Sequence, residues 1–189
     1  MRSATARLHE EIDAQFSGFD LAEGAGLAAF LSAQAIALRE CQPRVDRFGR
    51  EVLGCAPIDY AQIAASDLAN LGVDAALLPQ VWLPREIADA GVFYVVAGSR
   101  MGAAVLRQRA TALTPTGVAQ DVCGFFAIGE GPGQFRLFRQ WLAQRPAEAV
   151  AAISYAATAT FHLFAQAAKL AAQDAAGMPD THTGDDACA

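Results

Sequence analysis

The stretch AVAAISYAATATFHLFAQAAK, from Ala149 to Lys169, decides how this chain is read. No charge interrupts it before the lysine, and it is long enough to cross a bilayer. Its polar residues argue against that. Ser154, Thr158, His162 and Gln166 recur at i+4 steps, while Val150, Ile153, Ala157, Phe161, Phe164 and Ala168 form an apolar seam. At 3.6 residues per turn this pattern puts the two groups on different faces of one helix. The spacing predicts a buried amphipathic helix in a helical protein, not a membrane span, with His162 on the solvated side rather than acting as a ligand.

The same periodicity recurs along the chain. A first helix is expected over Ala4 to Phe16, with Leu8, Ile12 and Phe16 in register, Ser3 as N-cap and Gly18 just past its end. A second runs from Glu23 to Cys41, with Leu27, Phe30, Leu31, Gln34 and Leu38 on one side, and Pro43 stops it. A weaker segment follows over Arg44 to Leu53, then a helix from Tyr60 to Leu71 closed by Gly72. Leu83-Pro84-Arg85-Glu86 opens a helix with Pro84 at a position suited to a first turn and Glu86 near the positive end of the dipole. It continues toward Leu113 through Gly91, Gly98 and Gly102, and Thr114-Pro115-Thr116-Gly117 breaks it. Gly129 to Gly133 reads as a loop, Phe135 to Gln144 as a helix, and Pro146 begins the last helix, to about Asp174. The expectation is an all-α, single-domain bundle of seven to eight helices over residues 1–176, with a polar tail over 177–189.

Composition agrees. The chain has 189 residues, 53% of them hydrophobic and 18% charged, which suits a packed domain and not a disordered one. Alanine supplies most of the excess and favours helix over strand. Net charge is −6, and the 14 basic residues are thinly spread, so no cationic stripe points to nucleic acid. Met1 to Glu11 has no apolar signal core, which gives a cytoplasmic expectation. Cys41, Cys55, Cys123 and Cys188 show no CxxC spacing and are expected to be reduced structural thiols.

No P-loop, nucleophile elbow or dinucleotide fingerprint occurs, and no Glu-x-x-His pair that a di-iron bundle would need. Two features carry chemistry. His9 has Asp13 one turn on, where a carboxylate can accept the Nδ1 proton and leave Nε2 for a metal, or form an ordinary surface pair. In Tyr94-Val95-Val96-Ala97-Gly98-Ser99-Arg100-Met101-Gly102-Ala103-Ala104 two glycines lie one turn apart among alanines. Such a helix face admits close approach of something flat, or close packing of another helix.

Taken together, these residues resemble a bacterial, biliverdin-producing heme oxygenase of the phytochrome-associated type. Three matches in order carry the resemblance: Ala4 to Asp13 is similar to the family's proximal helix, Phe93 to Ala103 to its glycine-bearing distal helix, and Thr160-Phe161-His162-Leu163-Phe164 to its aromatic C-terminal helix. The resemblance covers Ala4 to Leu170 and implies a heme oxygenase-like fold. It also implies that His9 ligates heme iron and that Asp13 orients it. Gly98, Ser99 and Gly102 would line the reactive face, and Phe161 and Phe164 the apolar pocket. Arg2 and Tyr94 would reach the propionates, with Met101 also facing the cofactor. Heme would be both cofactor and substrate, yielding biliverdin, carbon monoxide and iron. Electrons would come from a ferredoxin or flavin reductase, and a bacterial phytochrome would accept the product.

Two departures motivate other readings. Ala97 stands where the bacterial family often has glutamate, and Ser99 lacks the carboxylate of the animal enzymes. A non-catalytic heme carrier or sensor on the same fold is therefore the alternative. A heme-free enzyme of the same helical fold would need a catalytic cysteine or polar pocket residues, and Cys41 at a helix end and Cys123 in a loop are poorly placed for that.

Overall fold

A computed structural model describes residues 2–56, 58–100, 124–128 and 133–177. Over these residues the protein is an all-α bundle. Its helices are α1 (Arg2–Ser17), α2 (Gly24–Phe48), α3 (Tyr60–Asn70), α4 (Asp89–Ser99), α5 (Gly124–Ala127), α6 (Gln134–Leu142) and α7 (Ala147–Gly177). A π-helical turn over Gly49–Leu53 and a 3-10 turn over Ala75–Leu77 join them.

The centre is a trio. α2 packs against α7 and α4, and α4 packs against α7. α7 follows the seam expected of it: Ile153, Ala157, Phe161, Phe164 and Ala168 are buried, while His162 and Gln166 are exposed. At 31 residues it is long enough for a bilayer, yet no helix among the described residues is both long and apolar enough to cross one. α3 and α5 pack together beside α2, and α1 lies along α7. Rings of Phe48, Phe93, Tyr94, Phe135, Phe138 and Trp141 form one continuous cluster where α2, α4 and α6 meet.

Four boundaries differ from expectation. Ser3 lies inside α1 and is not its cap. Pro43 does not end the second helix but sits inside α2. An interior proline costs about 3 kcal/mol, and the contacts of its neighbours in α2 offset it. Gln42 donates to Asp46 (2.7 Å) and to the Ile58 carbonyl (2.8 Å) and accepts from the Ala61 amide. Arg44 and Arg47 clamp Asp89 at 3.0 and 2.7 Å, and Val45 and Phe48 are buried. The expected break and the weak segment after it are therefore one helix, and Cys41 lies within it rather than at its end.

The third difference is α4, which begins at Asp89 and not beside Pro84. Residues 83–88 are strapped along α2. Leu83 donates its amide to Glu40 (3.2 Å), and Arg44 donates to the carbonyls of Pro84 (3.2 Å) and Arg85 (3.0 Å). Carbonyls that a helix would use internally are held by a neighbouring side chain instead. The fourth is α7, which continues to Gly177, past the expected tail boundary. The expected helix beyond Arg100, its break at 114–117 and the tail over 178–189 lie outside the described residues.

Candidate functional site

α1 brings His9 to the other two elements singled out in the sequence. Leu8, Ile12 and Phe16 are half-buried against the core, and Thr5, one turn before His9, is fully buried. His9 is half-buried as a result. Its ring sits edge-on to Phe161 of α7, with centroids 4.4 Å apart. Its Nε2 lies 3.4 Å from the Tyr94 hydroxyl of α4, at the long end of a hydrogen bond, with ring centroids 6.2 Å apart. Three segments distant in sequence thus converge on one imidazole, and all three are those the sequence marks. Asp13 is exposed on the same helix.

The glycine face of α4 is not bare. Gly98 faces the Phe135 ring of α6, which a Cβ would approach to 3.3 Å. The flat group against this face is a side chain of the protein itself. Ser99 is exposed, and its hydroxyl donates back to the Val96 carbonyl at 2.8 Å, closing one turn of its own helix. Ala97 is buried and supplies no acid. Phe164 is buried in the core one turn from Phe161. Arg2 belongs to the first turn of α1, and Met101 and Gly102 lie outside the described residues.

Among the described residues no cluster of three or more His, Cys, Asp or Glu could hold a metal ion, so a multinuclear carboxylate centre has no ligands there. Cys41 and Cys55 are free thiols. Burial, reinforced by Glu40, pushes the Cys41 thiol far above its ordinary value, and burial raises Cys55 as well. A thiol kept protonated is a poor nucleophile, which argues against Cys41 as a catalytic residue. Two clefts, of about 780 and 580 Å³, are lined by Arg39, Gln42 and Asp59 and by Arg44, Phe48 and Trp141 respectively, away from His9.

Sequence reasoning missed one group. Arg100, which directly follows α4, is buried together with Asp67 and Tyr60 of α3 and Phe125 of α5. The signal available was a charged residue inside an otherwise apolar, small-residue run. In comparison with known proteins, no family model and no curated protein matches this chain.

Proposed function

We propose that the protein binds heme through His9 and acts as a heme oxygenase, opening the ring to biliverdin with release of carbon monoxide and iron. The supporting observation is the convergence of His9, Phe161 and Tyr94. A single half-buried imidazole against an aromatic wall, with no competing metal cluster among the described residues, is a donor set that suits heme iron. When bound, heme would supply both the iron that takes up dioxygen and the ring that is oxidised, with electrons from a ferredoxin or flavin reductase and a bacterial phytochrome as acceptor of the product.

The chain's own residues set the terms. Phe161 packs edge-on to the imidazole and restricts its rotation, and with buried Thr5 it keeps water from that side. The Tyr94 hydroxyl stands against Nε2, where iron would stand, so ligation requires it to turn away. α1 is suited to give way, because among its described side chains only Thr5 is buried. A non-catalytic heme carrier or sensor is the second reading. The Ser99 hydroxyl turned onto Val96 and the methyl of Ala97 favour it, since neither offers a proton to a ligand.

The test is hemin titration of wild type, His9→Ala and Tyr94→Phe, followed by reductant and oxygen. A Soret band that depends on His9, tighter in Tyr94→Phe, and biliverdin as product support the enzyme. A stable oxygenated complex with an intact ring supports the carrier. Unchanged affinity and spectrum in His9→Ala refute both.

A further inference from the structure

Arg100 is buried to 5% exposure, yet no carboxylate among the described residues forms an ion pair with it. A guanidinium offers five N–H donors. Here Nη1 donates to the Phe125 carbonyl at 3.3 Å and Nε to Ser99 Oγ at 3.4 Å, both long. Its faces meet aromatic rings, with its carbon 4.1 Å from the centre of Phe125 and 5.5 Å from that of Tyr60. None of the ion pairs among the described residues includes it. The nearby buried carboxylate, Asp67, accepts instead from the Phe125 amide at 2.8 Å. Burial lowers the Arg100 pKa to about 10, so it remains a cation at neutral pH.

The second observation is Tyr60. It is 1% exposed, and its hydroxyl has no hydrogen-bond partner among the described residues. A buried hydroxyl is nearly always paired, and an exception needs an account. Tyr60 and Arg100 are neighbours in the interior, the guanidinium carbon lying 5.5 Å from the centre of the Tyr60 ring. Water would satisfy the hydroxyl but leave the guanidinium without a counter-charge, which is the costlier defect in a low-dielectric interior.

We propose that Arg100 and Tyr60 enclose a binding site for a small monovalent anion of halide or formate size, held by the guanidinium and by the Tyr60 hydroxyl. The proposal is independent of heme. An ion that binds only the folded chain stabilises it by mass action, so occupancy reads out directly as thermal stability.

The experiment is thermal unfolding of the full chain in rising sodium chloride or sodium formate. The same titration of Arg100→Gln subtracts the general effect of each salt on stability. The expected result is a midpoint that rises and saturates in the wild type, and no saturable rise in Arg100→Gln. Arg100→Lys retains the response, and Tyr60→Phe shifts the half-saturating concentration upward about tenfold. Tyr60→Phe removes a single oxygen and keeps the test decisive if Arg100→Gln does not fold. A wild type without a saturable response, as a buried water would give, overturns the proposal, as does a Tyr60→Phe response equal to that of wild type.

Discussion

Replacing three glycines by alanine, one at a time, tests how α4 is seated. In an unhindered helix interior this change stabilises by about 1 kcal/mol, so propensity alone favours all three variants. The structure separates them. At Gly91 a Cβ would lie 2.5 Å from the Ala156 Cβ and 2.7 Å from the Ala157 amide nitrogen, and would also meet the Ile153 carbonyl oxygen. These are largely backbone atoms of α7, which cannot rotate aside, so the two helices must separate. Overpacking of this kind costs about 1–3 kcal/mol, and the upper end applies where backbone must move. Net of propensity, Gly91→Ala destabilises by about 2 kcal/mol, or about 4–8 °C in the unfolding midpoint for a chain of this size.

Gly98 differs, because its neighbour at 3.3 Å is the edge of the half-buried Phe135 ring, which can shift by a few tenths of an ångström. Gly98→Ala is expected within about 0.5 kcal/mol of wild type. Gly24 meets nothing within 4 Å at the first turn of α2, and Gly24→Ala gains up to about 0.5 kcal/mol. Urea unfolding gives all three from midpoints at a common slope. If Gly91→Ala is as stable as Gly24→Ala, α4 is not packed on α7 as described.

Two further outcomes follow from buried titratable groups. Asp67 has its pKa raised by burial against the opposing pull of the Phe125 and Gly124 amides, so the folded chain holds this proton above the pH at which the unfolded chain has lost it. Its contribution to stability is therefore present below the ordinary carboxylate value, near pH 4, and declines as pH rises through the folded value. Asp67→Asn, which can still accept from the Phe125 amide, should flatten that part of the stability–pH curve, measured by urea unfolding between pH 4 and 7. Cys41, buried and held protonated, should stay unlabelled by a thiol reagent in the native protein and label fully in urea, as read by mass spectrometry of its peptide; native labelling would contradict its place in the core.

Much of the bundle is legible in the sequence. The seam of α7, the helical pattern of α1, the α3 helix closed by Gly72 and the apolar positions of α2 are local periodicities, and local periodicity survives folding. Pro43 and Pro84 mislead for one reason. Each is a local signal overridden by arginine side chains from another part of the chain or by partners across the bundle. The candidate site divides in the same way. His9, Tyr94, Gly98 and Phe161 are conspicuous as residues, but that a tyrosine hydroxyl abuts His9 and a phenylalanine ring covers Gly98 is visible only once the helices are packed.

By itself, then, the sequence determined an all-α chain and the solvated and buried faces of its long helices, because helix propensity and periodicity depend on neighbours within one or two turns. The tertiary structure alone decided where α2 ends and α4 begins, and what His9 and Gly98 face. It also placed Arg100 and Tyr60 together in the interior with no ion-pair partner for Arg100 among the described residues. Those outcomes depend on contacts between residues tens of positions apart, whose energies of a few kcal/mol exceed the local preferences they overrule.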